Sequence, residues 1–208
     1  MQTHRRLPLA ILAALVAVSL SAQTPLIDQG RAAIGRGDTA AAITILEKAV
    51  AESPTIAEAH FYLGNAYSGE MLKLGMFGAA KYASKIRDEY EKTVALNPKN
   101  NDARFSLVQF YAGAPNLMGG SYDKAFEHAK AIKAIDPVAG HRAYAFIYTQ
   151  QKKADLAKQE FADAIREQPT SPKPHSYFGQ YFVNTEKNYT AGFAEFEAAL
   201  KVRTRWTG

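Results

Sequence analysis

The sequence predicts an all-α protein built as an array of about five antiparallel helix pairs. Three observations predict this fold class. Apolar residues recur at spacings of three and four, which places them on one face of a helix. An ordered pattern of large, small and aromatic residues returns several times along the chain. A proline closes four of these returns, at Pro54, Pro98, Pro137 and Pro169.

The first element, residues 1–22, has the pattern of a secretory signal peptide. Arg5 and Arg6 form a basic start, residues 9–20 form an apolar run, and small residues follow up to Ala22. The apolar run has 12 residues, whereas a helix needs about 20 to span a bilayer. We therefore expect this segment to be removed on export. The remaining chain is then periplasmic or secreted, with no stable insertion in a membrane.

Composition limits the function classes. The formal net charge of +5 includes the two arginines of the expected signal peptide, so the exported chain carries +3. This charge is too small to indicate nucleic-acid binding, and no Lys/Arg cluster supports it. The chain contains no cysteine, which excludes disulfides, thiolate metal sites and a cysteine nucleophile.

Residues 23–208 form the expected helical domain, which divides into five repeats at about 23–56, 57–100, 101–137, 138–171 and 172–205. The first helix of a repeat carries a large residue followed by a small one, and an aromatic residue three positions later. The clearest large-small pairs are Leu63-Gly64, Leu107-Val108, Tyr144-Ala145 and Phe178-Gly179. A small residue on one helix lets a large side chain of the paired helix approach closely.

The second helix of each repeat carries a small, large and small residue before the closing proline. The best examples are Ala42-Leu46-Ala49, Ala157-Phe161-Ala164 and Gly192-Phe196-Ala199. With these features the chain resembles the tetratricopeptide repeat family over residues 23–202. The resemblance implies a right-handed α-solenoid whose first helices line a concave groove, and it implies a protein or peptide as the ligand.

The exposed side of the first helices supplies the candidate ligand-binding residues. Phenylalanines there offer apolar contact, and amides can pair with the backbone of an extended peptide. The candidates are Phe61, Asn65, Ser68, Phe105, Gln109, Arg142, Phe146 and Gln180, with Thr149 and Ser176 beside them. Some family members clamp a C-terminal carboxylate, but Phe61 and Phe105 stand where that clamp needs lysines.

Two repeats are longer than the 34 residues of a regular unit. The closing prolines are 44 residues apart in repeat two and 39 apart in repeat three, and both insertions fall between the two helices of their repeat. In repeat two we expect about one extra turn on each helix; in repeat three the insertion is the stretch APNLMGG.

The insertions bring large apolar residues to one edge of the array: Met71, Leu72, Leu74, Met76, Phe77, Leu117 and Met118. We expect them to pack on one another; the alternative is an open patch for a partner or a second copy of the chain.

No motif for catalysis or phosphate binding occurs in the sequence. His60, His141 and His175 occupy the same position of three first helices, which favours a packing role over a metal site. The carboxylate pairs Asp88-Glu89 and Glu195-Glu197 are expected on solvated helix faces. We therefore predict no metal, no cofactor and no enzymatic activity.

Three functions remain open at this point. The first is a non-catalytic exported interaction module or scaffold that binds a protein or peptide in its groove. The second is a periplasmic chaperone or assembly factor for envelope proteins. The third, more remote, is an enzyme with an unrecognised site. Capture of one or two stoichiometric partners would indicate a scaffold, and capture of many would indicate a chaperone.

Overall fold

The structure is a computed structural model that describes residues 25–204. Within this range the chain forms helices and short turns, and it contains no strand. The chain divides into two compact units, one ending at Asn100 and the other beginning at Asn101, and each is described by itself. Both units consist of helix pairs of the predicted kind, so the all-α fold class is confirmed.

The first unit contains two helix pairs. Residues 25–35 are helical and form α1, which is followed by α2 (Thr39–Glu52), α3 (Ala57–Leu74) and α4 (Met76–Leu96). The side chain of Asp38 begins α2 by accepting a hydrogen bond from the amide of Ala41, since the first amides of a helix lack partners within the helix. Helix α3 packs against both α2 and α4.

The second unit contains three helix pairs. Its helices are α5 (Asn101–Gly113), α6 (Tyr122–Ile135), α7 (Pro137–Gln150), α8 (Ala154–Glu167), α9 (Pro172–Tyr181) and α10 (Tyr189–Thr204). A π-helical turn, Phe182–Glu186, extends α9. Each helix packs against its neighbours in sequence, and α7 also packs against α5 and α9. The three first helices of these pairs therefore lie side by side.

Close approach at small residues holds the two helices of a pair together. A Cβ atom added to Gly64 would lie 2.7 Å from the ring of Tyr90 on the paired helix. A Cβ atom on Gly179 would lie 2.6 Å from the ring of Phe196. These distances leave no room for a methyl group, so the glycine of each of these two large-small pairs is required by packing.

The small-large-small residues of the second helices form the buried core. In four of the five repeats every such position is buried, and in the fifth Gly192 and Ala199 are buried with Phe196 half-buried. Among these residues are Ala42, Leu46, Ala49, Ile86, Tyr90, Thr93, Ala125, Ala129, Ile132, Ala157, Phe161 and Ala164. The face that the sequence predicts to be buried is thus the buried face.

The predicted closing prolines lie just beyond the ends of second helices. Pro54 and Pro98 each follow a helix end by two residues, and so does Pro169. Pro137 instead begins α7, where its missing amide hydrogen costs nothing because the first amides of a helix have no helical partner. Asp136 caps the same helix by accepting a hydrogen bond from the amide of Ala139.

The insertion in repeat two lengthens both of its helices, as predicted. Helix α3 has 18 residues and α4 has 21, against 14 in each of α2, α6, α7 and α8. A single residue, Gly75, connects α3 and α4, with φ of 57° in the region that favours glycine. At Gly78 the helices nearly touch, since an added Cβ would lie 2.5 Å from the carbonyl oxygen of Met71.

The insertion in repeat three, APNLMGG, forms a compact connection between α5 and α6. Residues Asn116–Met118 make one 3₁₀ turn, and Gly119 follows with φ of 94°. The amide of Gly120 donates to the carbonyl of Pro115, and the amide of Ser121 donates to the carbonyl of Tyr111. The glycine pair is needed because these bonds bring the returning chain against the end of α5.

We predict that Gly78→Ala destabilises the protein while Gly35→Ala does not. Both glycines are helical, but an added Cβ meets the backbone of Met71 at Gly78 and meets nothing within 4 Å at Gly35. The expected loss for Gly78→Ala is about 1–3 kcal/mol of the free energy of unfolding, as for other overpacked sites. Urea unfolding measures both variants, and equal stability of the two would contradict the close contact between α3 and α4.

Candidate functional site

A cleft lies in the second unit, where α5, α7 and α9 lie side by side. We call it the groove, and its volume is about 250 Å³. Exposed residues of the three helices form the rim of the groove, and aromatic rings form its floor. The lining residues are Phe105, Gln109, Arg142, Phe146, Thr149, Gln150, Phe161, Tyr177, Gln180, Tyr181, Asn184 and Thr185.

The structure brings together the candidate residues that belong to the second unit. Five of them line the groove: Phe105, Gln109, Arg142, Phe146 and Gln180. They come from three different helices, and the two on α5 and the two on α7 are each four residues, or about one turn, apart. Their shared location is a structural fact, and ligand binding by them stays a prediction.

The remaining candidates lie on α3 in the first unit. Phe61 is half-buried, with its ring centroid 6.1 Å from that of Tyr90. The hydroxyl of Tyr90 donates to the side-chain oxygen of Asn65 at 2.8 Å. The hydroxyl of Ser68 donates to the carbonyl of Gly64 at 2.8 Å. Asn65 and Ser68 thus take part in the packing of α3 on α4, and their role toward a ligand stays a prediction.

Packed aromatic rings form the floor of the groove. The ring centroids of Phe105 and Phe146 are 6.0 Å apart in an edge-on arrangement, and both rings are half-buried. Tyr181, another lining residue, is buried against Phe161, and its hydroxyl lies 3.2 Å from Glu186, to which it donates. Burial and the neighbouring carboxylate raise the pKa of Tyr181 to about 12. The phenol therefore stays protonated and neutral at physiological pH.

Arg142 lies between two aromatic rings at one end of the groove. Its guanidinium carbon is 4.0 Å from the ring centroid of Phe105 and 4.8 Å from that of Tyr177. Both distances are within the range of a cation–π contact. Among residues 25–204, no carboxylate forms an ion pair with Arg142.

Polar side chains follow along the groove beyond Arg142. Gln109 on α5 and Gln180 on α9 are exposed on the two sides of the groove, about one helical turn further along than the level of Arg142. Asn184 is exposed about one turn beyond Gln180. An exposed side-chain amide can donate one hydrogen bond and accept another, as a peptide backbone requires. The groove can therefore pair with the backbone of an extended chain and contact its side chains with rings.

Sequence reasoning missed Tyr177, Tyr181, Asn184 and Thr185. It assigned Ser176 to the groove, but the hydroxyl of Ser176 donates to Pro172 and the residue borders a different depression, toward Phe196 and Leu200. The spacing of 177, 181 and 184 is itself helical, and a wider stripe on α9 would have included these positions. The π-helical turn that holds Asn184 and Thr185 gives no recognisable signal in the sequence.

The predicted edge residues are largely exposed. In the first unit, Leu72, Met76 and Phe77 have 78%, 90% and 87% of their surface exposed, and in the second unit Leu117 has 98%. Leu74 is also exposed, while Met71 and Met118 are half-buried. Packing of the two insertions on one another stays a prediction, as does the alternative of an open patch.

Three buried or half-buried histidines link first helices to second helices. His60 contacts Glu89 at 2.6 Å, His141 contacts Glu160 at 2.7 Å, and His175 contacts Glu195 at 2.7 Å, each through Nδ1. The histidines thus take part in helix packing, as the sequence analysis predicted.

The same contacts correct the expectation that the carboxylates of Glu89 and Glu195 lie on solvated helix faces. Glu89 and Glu195 do not lie on purely solvated faces, because each accepts a hydrogen bond from a histidine of the paired helix.

The sequence does contain a signal for these pairs. Each glutamate directly precedes the central large residue of its second helix, in Glu89-Tyr90, Glu160-Phe161 and Glu195-Phe196. Repeats one and three have neither the histidine nor the glutamate at these positions. The two residues therefore occur together, which indicates a contact between them.

The environment of His60 favours its charged form. Its Nδ1 faces the carboxylate of Glu89, and its Nε2 lies 3.0 Å from the carbonyl oxygen of Pro54. Both neighbours are acceptors, and only a doubly protonated imidazole can donate to both. The hydrogen bond to Glu89 accordingly raises the pKa of His60 above its ordinary value of 6.5, although burial opposes the shift.

Within the described range, no group of three or more His, Cys, Asp or Glu side chains could hold a metal ion. None of the helices in that range is long and apolar enough to cross a bilayer. The features that are present are helix pairs and a groove with rings on its floor and polar groups on its rim. They define a helical-repeat protein of the kind that binds other molecules along its first helices.

Comparison with known proteins agrees with this class. Residues 27–68 match the tetratricopeptide repeat family. A thermophilic TPR protein of Thermus thermophilus is similar in structure, with 18% sequence identity and a TM-score of 0.59, over 89% of this chain and 97% of that one. PilF of Pseudomonas aeruginosa is similar with 19% identity and a TM-score of 0.59, over 88% and 78% of the two chains. No curated protein matches the sequence.

MamA of Desulfovibrio magneticus RS-1 has the same fold at 14% identity, with a TM-score of 0.52 over 88% of this chain and 96% of that one. At these identities the similarity concerns the fold. Together with the match of residues 27–68 and the helix pairs, it shows that the chain has the fold of tetratricopeptide repeat proteins. Stacked helix pairs of this kind present extended surfaces on their first helices.

We predict that the contact between His60 and Glu89 makes stability depend on pH. A histidine whose pKa is raised on folding stabilises the folded state fully below its unfolded pKa of about 6.5 and loses that effect as pH rises through the folded value. The variant Glu89→Gln should therefore differ most from the parent below pH 6.5, by about 1.5–3 kcal/mol for a hydrogen bond to a charged group. Urea unfolding between pH 5.5 and 9 measures this difference.

Contributions of the other histidines to the free energy of unfolding are the same in the parent and in Glu89→Gln, so they cancel when the two values are subtracted. A difference that stays constant across this pH range would show that His60 does not change its charge there. Titration of the His60 ring by NMR gives a second reading, since its pKa should fall in the variant.

Proposed function

We propose that the chain is an exported, non-catalytic interaction module whose groove binds an extended segment of a protein partner. The observation that carries this proposal is the groove itself, in which three parallel first helices place rings on the floor and exposed amides on the rim. Rings contact apolar side chains of any sequence, and amides pair with the peptide backbone. Binding of this kind needs no chemical step.

The shape of the groove supports an extended segment more than a small molecule. Its lining residues run over about one helical turn on α5 and about two turns on α7 and on α9 with its π-helical turn, or roughly 6–12 Å along the helix axes at 1.5 Å per residue. This length fits about three residues of extended chain at 3.3 Å each. A longer segment would continue past both ends of the groove.

Export is the second part of the proposal, and it rests on sequence. Residues 1–22 lie outside the described residues, and their basic start, apolar run and small residues have the pattern of a signal peptide. We propose that removal of this segment releases the chain into the periplasm or the medium. A second copy of the chain is also a possible partner, through the exposed edge residues Leu72, Met76 and Phe77.

A chaperone or assembly factor for envelope proteins is the alternative. It would use the same groove with less selectivity, because rings and amides recognise no particular sequence. Capture with the exported protein as bait separates the two functions. A scaffold retains one or two partners in stoichiometric amounts, whereas a chaperone retains many different proteins in small amounts.

We predict that Phe105→Ala combined with Phe146→Ala abolishes capture of the partner. Both rings are half-buried, so each truncation should cost less than a fully buried aromatic ring, for which about 3–5 kcal/mol is typical, and the helices should persist. Phe193→Ala is the matched control, because that ring is 63% exposed on α10 and outside the groove. Circular dichroism and capture from an envelope extract are the measurements. Full capture by the double variant would exclude the groove as the binding site.

We also predict that protein recovered from the envelope fraction lacks about 22 N-terminal residues. Cleavage after the small residues near Ser21 and Ala22 removes the basic start and the apolar run together. Intact-mass measurement on the recovered protein tests this, and the osmotic-shock fraction shows whether the chain is released. A full-length species that stays with the membrane pellet would contradict export of a cleaved chain.

A further inference from the structure

Arg142 is held as a fixed cation at one end of the groove. The rings of Phe105 and Tyr177 lie against its guanidinium at 4.0 and 4.8 Å, and these rings come from α5 and α9 on either side of α7. Rings that contact the faces of a planar guanidinium leave its N–H groups, which point outward in the plane, free to donate. The side chain is half-buried, so part of its hydration is already lost.

The charge of Arg142 is not balanced within the second unit. Some other cations of the unit have carboxylate partners, as in Arg166–Asp163 at 2.6 Å and Lys158–Glu186 at 2.7 Å. Arg142 has none among the described residues, and the twelve residues that line the groove include no Asp or Glu. A half-buried cation without a partner attracts an anion more strongly than a solvated one does, because less water screens the interaction.

We propose that the groove selects an extended segment that carries an acidic side chain, and that Arg142 binds this carboxylate. The inference rests on the proposed function, since it names the chemistry of the segment that the groove takes. The guanidinium donates two parallel hydrogen bonds to the carboxylate of an Asp or Glu. The backbone of the segment then continues over Gln109 and Gln180, and an apolar side chain of the segment contacts the ring of Phe146.

The position of the donors favours an acidic side chain over a chain terminus. A terminal carboxylate lies on the backbone, so its oxygens need donors at the level where the backbone runs. The polar groups at that level, on Gln109, Gln180 and Asn184, lie one and two helical turns away from Arg142. A side-chain carboxylate reaches Arg142 while the backbone of the same segment stays beside these amides.

The test uses the full exported chain and a library of eight-residue peptides displayed within a host loop, so that no peptide has a free terminus. Recovered sequences are expected to carry Asp or Glu at one fixed position beside apolar residues. A recovered peptide is then synthesised with both ends blocked, in a Glu form and in a Gln form. Fluorescence anisotropy should show binding of the Glu form to be about 10-fold to 100-fold tighter, as expected for loss of a charged hydrogen bond.

Variants of the protein assign this preference to one residue. Arg142→Gln should bind the Glu and Gln forms equally, and Arg142→Lys, which keeps the charge and loses the planar fork, should keep a small part of the preference. Arg166→Gln is the matched control, because it removes the same charge from α8 outside the groove and should keep the full preference. Comparison of the two peptide forms on the parent protein does not depend on the folding of any variant.

Each outcome bears either on the acidic preference alone or on both that preference and the proposed function. Peptides that bind in the groove with no acidic preference, or with a preference that Arg142→Gln retains, overturn the inference and leave the proposed function standing. Peptides that bind only when their C-terminal carboxylate is free overturn it in favour of a terminus. Failure of the parent protein to bind any displayed peptide, while it still captures a folded partner, shows that the groove does not take extended segments and overturns both.

Discussion

The contact between a glycine or alanine on one helix and a large side chain on the next is the constraint on which the rest of the structure depends. Two helices can pack closely only where one of them lacks a side chain that would hold them apart. At Gly64 the ring of Tyr90 fills that space, and at Gly179 the ring of Phe196 does so. Because this contact fixes the rotation of each helix in its pair, it also decides which residues are left on the opposite face of the first helix.

The groove follows from that rotation. Leu107 and Ala145 are buried toward the second helices, so Phe105, Phe146 and Arg142 lie on the other face and meet across α5 and α7. The buried core and the groove are therefore on opposite faces of the same first helices. A substitution that turned a first helix would change both, which is why variants for binding experiments are chosen at half-buried or exposed positions.

The sequence predicts most of this fold because the relevant information is local and repeated. Leu46, Ile132 and Ala164 could be assigned to the core from spacing alone, and the lengths of α3 and α4 followed from the distance between Pro54 and Pro98. Five of the candidate residues lie together in one cleft, since equivalent positions of successive first helices lie side by side.

What the sequence did not predict depends on contacts between distant residues or on local changes of helix geometry. Tyr177 rather than Ser176 faces Arg142, a difference of one residue that is set by how α9 packs on α7. The π-helical turn shifts Asn184 and Thr185 toward the groove, and apolar spacing carries no trace of such a turn.

The stacking of Arg142 has a consequence for the thermodynamics of binding. A free arginine side chain has roughly 2 kcal/mol of rotamer entropy at room temperature, which a surface arginine loses when it is immobilised by a ligand. Here the two rings have already restricted that motion when the protein folds, so binding orders the side chain very little further. Under the proposed function, the groove presents a preorganised charge, and its affinity for an acidic segment is reduced less by side-chain entropy than the affinity of a mobile surface arginine would be.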